Sequence, residues 1–310
     1  MALQLPSICL GGNVFGWTAD EQQSFAVLDA AHDAGLTFID TADVYAAWVN
    51  GGAGGQSETV IGRWLAARPG VRAQTIIATK VGKLPALTGI RPATLRAALD
   101  ASLERLGVDT IDLYYAHDDD GGDLTDTLAQ FDLFVRTGKI RAVGLSNFTP
   151  ARVEEAISIA EQEGLARPEV LQPEYSLMAR DYEQELQPVA ERLGLAVAPY
   201  FALASGFLTG KYRPGVAVES ARAGRMDALL ADPAAVELLD RLDEVAAAHG
   251  APVASVALAW LKVQPTVTSP IASARTVEQV APLAAALTLE LSADEVAALT
   301  AASDRIGQAA

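Results

Sequence analysis

RPATLRAALDASLERLGVDTIDLYYAH, residues 91–117, holds one helix followed at once by one strand, and it sets the repeat for the whole chain. Pro92 stands in a first helical turn, where its missing N–H costs nothing, and Gly107 stands just past the last turn. Between them Leu95, Leu99, Leu103 and Leu106 recur at helical spacing and form one apolar stripe. The run TIDLYYAH (110–117) then stays largely apolar, as a strand buried on both faces does, and stops at His117.

The same unit repeats in both directions. Short apolar runs occur at SICLGG (7–12), LTFID (36–40), TIIATK (75–80), IRAVGLS (140–146), EVLQPE (169–174), LAVAPY (195–200) and TVTSPI (266–271), which with 110–117 makes eight. Helical patterns lie between them. TPARVEEAISIAEQEG (149–164) has Thr149 as N-cap, Pro150 at the first position and Gly164 as terminator. DEQQSFAVLDAAHDAG (20–35) and AAVELLDRLDEVAAAHG (234–250) read the same way, with His32 and His249 near helix C-termini. Eight strands with crossovers predict an α/β fold, a (β/α)8 TIM barrel forming a single domain over residues 1–310. A doubly wound sheet is the alternative, weakened because no strand is followed by a GxGxxG turn.

Polar residues end three of these runs. Asp40 and Tyr45 lie in FIDTADVY, Lys80 closes TIIATK, and His117 closes the run quoted first. A packed core has no use for a carboxylate, a phenol, an ammonium and an imidazole at matching positions. Burying them without partners is costly, so they are expected to partner one another in one assembled site. Two segments interrupt the alternation, the Gly-rich 46–56 and the long 201–231. In a barrel both emerge on the C-terminal face, where binding sites form. Trp17 and Trp48 fall on candidate rim loops, whereas Trp64 falls in a helical stretch and is expected in the core.

The net charge of −16 and pI near 4.5 argue against nonspecific binding to nucleic acid or an anionic membrane. The single cysteine, Cys9, excludes an intrachain disulfide, and a reducing, cytoplasmic setting follows as the default. The three histidines and one cysteine show no ligand spacing, so no metal site is expected. Asp118, Asp119, Asp120 and Asp123 read as a solvated turn.

Seven motifs in order resemble the aldo-keto reductase superfamily, in its bacterial and potassium-channel β-subunit-like branches. They are D-T-A-x-x-Y at 40–45, ATK at 78–80, SLERLGVDTIDLYYAH at 102–117, GLSNF at 144–148, QPEYS at 172–176, ASGFLTGKY at 204–212 and IASARTVEQ at 271–279. The resemblance implies an NADP(H)-dependent oxidoreductase that reduces a small aldehyde or ketone, or runs the reverse reaction. Tyr45 would be the proton donor, with Lys80 making it a better acid, Asp40 orienting Lys80, and His117 hydrogen-bonding the substrate carbonyl. Ser146, Asn147 and Gln172 match positions that hold the nicotinamide carboxamide, and Tyr200 matches the aromatic that stacks on its ring. Phe201, Ala202, Leu203, Ser205 and Gly206 match the loop along the pyrophosphate and ribose. Lys211, Arg222 and Arg275 match or lie near positions facing the phosphates, with Ser273 as a further donor and Gln279 reaching the adenosine. That arrangement implies a preference for NADPH over NADH of at least roughly tenfold.

Three departures from the family pattern stand out. The N-terminal hairpin that usually plugs the barrel is shortened or missing. Ser273 replaces a common glycine, and Pro282 and Leu283 replace an acid and an asparagine that usually hold the adenine, so its edge is expected to be read differently or more weakly. The alternative to an enzyme is an NADP(H)-binding regulatory or interaction subunit with little turnover.

Overall fold

A computed structural model describes residues 3–49, 52–216 and 223–306. Eight parallel strands form one sheet: β1 (Cys9–Gly11), β2 (Phe38–Asp40), β3 (Ile76–Val81), β4 (Ile111–Ala116), β5 (Ile140–Ser146), β6 (Val170–Gln172), β7 (Ala196–Val197) and β8 (Ile271–Ala272). β1 to β7 pair successively, and β8 pairs with β1 through Cys9↔Ile271, which leaves β7 and β8 as the two ends of the sheet. The sheet curls until its ends meet. A bridge joins Val197 to Val267, and Ile271 N donates to Pro199 O at 2.9 Å. Helices on the outside cover it, which is the (β/α)8 barrel the repeat predicts.

The opening stretch behaves as read. Its helix spans Pro92–Leu106 with Gly107 left-handed at φ 63°, and Leu95, Leu99 and Leu106 are buried. Thr149 caps the helix Pro150–Glu163, and Gly164 ends it. The eighth strand differs. The run 266–271 was expected to be strand, but the ladder begins only at Ile271. Pro265 and Pro270 have no N–H to donate, so the residues between them reach β7 through a single bridge and irregular bonds.

Period-two alternation sorts the barrel interior into two layers. Cys9, Phe38, Ala78, Tyr115, Val170, Ala198 and Ile271 belong to one buried apolar cluster inside the barrel. Two residues further along each strand direction stand Gly11, Asp40, Lys80, His117, Gln172, Tyr200 and Ser273. The apolar layer thus floors a polar one at the C-terminal mouth. Gly144 is required here, because a Cβ at that position would sit 2.3 Å from the Tyr115 ring. Leu3 and Leu5 pack against the same cluster, and Leu3 N donates to Glu169 Oε2 at 3.0 Å.

The long segment after β7 is not structureless. It holds a 3-10 helix (Ala204–Thr209) and an α-helix (Ala223–Leu230). A small hairpin, Lys83–Leu84 with Leu87–Thr88, follows β3 and was not expected from the sequence. No single helix among the described residues is long and apolar enough to cross a membrane.

Candidate active site

Asp40 ends β2, Lys80 lies one residue from the end of β3, and His117 follows β4 directly. Tyr45 comes from the loop after β2, which turns back over the barrel mouth. Lys80 Nζ is fully buried and donates three ways: to Asp40 Oδ2 at 2.5 Å, to Thr41 O at 2.8 Å and to Tyr45 OH at 2.9 Å. An ammonium has three protons, so this lysine is saturated. Gln172 Nε2 donates to the other Asp40 oxygen at 2.9 Å, holding the carboxylate from the opposite side of the barrel. The His117 ring meets the Tyr45 ring edge-on with centroids 6.2 Å apart.

The charges follow from this geometry. Burial works against the charged form of Lys80, yet the Asp40 carboxylate and the Tyr45 oxygen together hold its pKa above the usual lysine value. Burial pushes the Tyr45 phenol up to about 12, with the Lys80 charge pulling the other way. The nearby cation was expected to make Tyr45 a better acid than free phenol. The desolvation of a buried phenol outweighs it, and Tyr45 stands protonated at neutral pH. Burial, then the positive charges of Lys80 and Lys83, hold His117 well below the ordinary histidine range. Its imidazole is neutral, and Nδ1 is buried without a partner.

A second buried acid in the same loop was not singled out from the sequence. Asp43 is buried, and neither carboxylate oxygen has a hydrogen-bond partner. Burial, reinforced by the nearby Glu58, raises its pKa to about 7. Glu58 is itself satisfied by Thr79 Oγ1 at 2.6 Å and by Arg105 at 2.7 Å. The second acid of D-T-A-D-V-Y was the available signal.

The expected carboxamide-holding residues are interlinked. Asn147, at φ 58°, donates to His117 O at 2.8 Å and Ser146 Oγ at 3.1 Å and accepts from Tyr200 OH at 2.9 Å. Ser146 Oγ donates to Gln172 O at 2.9 Å. All four residues line one cavity of ≈ 660 Å³ with Asp40, Tyr45 and His117. Trp17 and Trp48 form its outer wall, ring centroids 5.4 Å apart, and Lys83 stands at the rim on the unexpected hairpin. Trp64 is in the core, as read, with Nε1 donating to Asp29 at 2.8 Å.

The cavity continues along Phe201, Ala202, Leu203, Ser205, Gly206 and Lys211 and ends at Ser273, Arg275, Gln279, Pro282 and Leu283. The φ angles of 54°, 46°, 58° and 100° at Phe201, Ala204, Ser205 and Gly206 fold this loop against the mouth. Two hydrogen bonds at the far end tie the wall to itself. Ser273 Oγ donates to Asn13 Oδ1 at 2.7 Å, so its proton is already used. Arg275 N donates to Gln279 Oε1 at 2.9 Å, and only a short 3-10 turn (Val277–Gln279) precedes the helix Val280–Thr288, so that backbone N–H is not open to a phosphate. Arg222 lies outside the described residues.

The aspartate turn is more than solvated. Asp119 receives Arg152 at 2.7 and 2.9 Å, Asp120 Oδ2 accepts from Ile90 N at 3.0 Å, and Asp123 caps the helix Leu124–Arg136. His249 closes its helix as expected, and its Nε2 also meets Glu295 Oε1 at 2.8 Å.

An aldo/keto reductase family model matches residues 7–304. The chain belongs to the aldo/keto reductase family. It is 35% identical over 289 residues to the uncharacterized oxidoreductase YrpG of Bacillus subtilis (strain 168), covering 90% of this chain and 86% of that protein. It is 33% identical over 259 residues to the aldo-keto reductase str7 of Strobilurus tenacellus, covering 81% and 72% respectively. It is also 30% identical over 297 residues to a putative voltage-gated potassium channel subunit beta of Schizosaccharomyces pombe, covering 90% and 83%. As an aldo/keto reductase the chain is an oxidoreductase of small carbonyl compounds, and nicotinamide cofactors are the family's usual hydride carriers.

Proposed function

We propose that this aldo/keto reductase is an NADP(H)-dependent enzyme that reduces an aldehyde or ketone to an alcohol, or runs the reverse reaction, with Tyr45 as the proton donor. The observation that carries the reading is the 2.9 Å contact between Tyr45 OH and a fully buried Lys80 ammonium that is itself paired to Asp40 at 2.5 Å. A purely structural tyrosine has no need of a buried cation at its oxygen. A bound nicotinamide would supply the hydride.

The residues then divide the remaining work. Tyr45, protonated at neutral pH, gives its proton to the carbonyl oxygen as the carbon is reduced. The resulting phenolate is stabilised by Lys80, whose charge is of little use to the neutral phenol. That is differential stabilisation, the kind that accelerates a step. Asp40, held by Gln172, keeps Lys80 charged and aimed. His117 is neutral and orients the carbonyl oxygen by hydrogen bonding. Ser146, Asn147 and Gln172 would hold the carboxamide, Tyr200 the nicotinamide face, and Phe201 to Gly206 the pyrophosphate. The cavity fits such a group: it carries Lys211 and Arg275, and among the described residues neither is in an ion pair. These two cations favour NADPH over NADH. The reading takes residues 1–310 as one barrel domain.

The test is to follow NADPH oxidation with a panel of aldehydes and ketones in wild type and in Tyr45→Phe. Turnover in wild type that collapses in Tyr45→Phe supports the proposal, and equal turnover in both overturns the role of Tyr45. The likeness to a channel β subunit favours a second reading, a cofactor-binding regulatory subunit. Tight NADPH binding without turnover on any carbonyl would select it.

A further inference from the structure

We propose that Lys83 forms an anion subsite at the carbonyl end of the cavity, so that the preferred substrates are aromatic aldehydes or ketones that carry a carboxylate. This rests on the carbonyl-reductase reading above and adds a substrate class to it.

The position of Lys83 is built, not incidental. β3 lies between β2 and β4 in the sheet, so the segment that follows it emerges between the Tyr45 loop and His117. Gly82, at φ 120°, turns the chain out of the strand through a conformation that residues with a Cβ rarely adopt. The hairpin then pairs Lys83 with Thr88 and Leu84 with Leu87, and Gly89 N donates to Gly82 O at 2.9 Å. Leu84 is buried against the Tyr45 loop, where a Cβ on Gly54 would lie 2.4 Å from its Cδ1. On this fastened turn Lys83 lines the cavity together with Tyr45 and His117. Its charge is felt at the His117 imidazole, whose pKa it helps to lower.

Three cations line the cavity among the described residues: Lys83, Lys211 and Arg275. Lys211 and Arg275 come from the segments after β7 and β8 and fall to the cofactor phosphates in the reading above. Lys83 is left for the other end. Asp40 is the one carboxylate among the described residues of the wall, and Lys80 neutralises it. Lys83 does pair with Asp118, but at 3.4 Å and with both side chains partly exposed. That is longer than an ordinary hydrogen bond, and such a pair contributes little. Asp118 is not part of the cavity wall, so the ammonium keeps protons for an anion that enters from the cavity. In a chain of net charge −16 the overall field repels anions, and a local cation must make the selection. The body of the substrate meets aromatic surface. Trp48 is 51% exposed, with its ring 6.4 Å from that of Tyr45 and 5.4 Å from that of Trp17. Two indoles beside the carbonyl site suit a planar apolar group.

The experiment measures kcat/KM with NADPH for meta- and para-carboxybenzaldehyde and for their methyl esters, which keep the shape and lose the charge. The acid-to-ester ratio is compared between wild type, Lys83→Met and Lys83→Arg, so that intrinsic reactivity cancels. The ratio is expected to fall about fivefold or more in Lys83→Met, less than a buried charged contact would give, and to stay near wild type in Lys83→Arg. Asp118→Asn releases Lys83 and should raise it. Added salt should lower the wild-type ratio. A ratio that Lys83→Met leaves unchanged overturns the inference. A salt-independent wild-type ratio does so even if that variant fails to fold. Turnover of neutral aldehydes with neither acid accepted overturns the inference and leaves the functional reading intact, whereas no turnover of any aldehyde overturns both.

Discussion

The two ends of the cavity are built differently. Around Tyr45 nearly every polar atom is bonded to another: Lys80 makes three hydrogen bonds, Asp40 is held from two sides, and Asn147, Ser146, Gln172 and Tyr200 form a connected set. At the far end the side chains around Arg275 and Leu283 are partly exposed or apolar, and the bonds that exist tie the wall to itself. Strand ends supply the first region and loops the second. Strand ends are fixed by the parallel ladder, so they can hold charges in a closely defined geometry. Loops such as those after β7 and β8 are in general less constrained, and the proposed phosphate contacts would ask less of them.

The contrast breaks most sharply at Tyr45. Tyr45→Phe removes the proposed proton donor while keeping the ring, so turnover should fall roughly 10²- to 10⁴-fold, with NADPH affinity nearly unchanged in a binding titration. Near-normal turnover would mean that the dense end is scaffolding. Lys80→Met should abolish turnover and also unsettle the fold, because it leaves the Asp40 carboxylate buried with Gln172 as its main partner. Breaking a buried pair from one side costs about 3–5 kcal/mol, readable as a lowered midpoint in urea unfolding. An unchanged midpoint would show that water reaches Asp40.

At the loose end Arg275→Ala should weaken NADPH about tenfold or more and leave NADH almost untouched, at fixed ionic strength. Equal loss for both cofactors would move the 2′-phosphate elsewhere. A last effect, on stability alone, concerns Asp43 in the loop after β2. Its folded pKa of about 7 lies above the unfolded carboxylate value of about 3.9, so the native state binds the extra proton between those limits. Its contribution to stability is therefore fullest below about pH 4 and is lost as pH rises through 7. Asp43→Asn cannot titrate, so its stability relative to wild type should improve by on the order of 3 kcal/mol between pH 4.5 and pH 8. A difference that does not move with pH would show that Asp43 is already ionised or hydrated.

Much of this was legible in residue order. The eight apolar runs, the caps at Thr149 and Gly164, the stripe from Leu95 to Leu106 and the polar residues closing β2, β3 and β4 all follow from local periodicity, which short-range sterics and burial enforce. Alternation also explains why Asp40, Lys80, His117, Gln172 and Tyr200 share one layer, since each stands two residues beyond an apolar neighbour.

What the sequence could not reveal is which polar atoms are still free once the barrel closes. The hydroxyl of Ser273 and the amide oxygen of Gln279 looked like ligands and are bonded to the protein, while Lys83 reached the rim on a hairpin with no strong signal. The direction of the Tyr45 shift was decided the same way, because desolvation depends on everything packed around the phenol and not on the lysine alone. Residue types and spacing determined the candidates for this site. Closure of the barrel brought Gln172 onto Asp40 across 132 positions of chain, and only that closure fixed which hydrogen bonds are made and which charges lose their water.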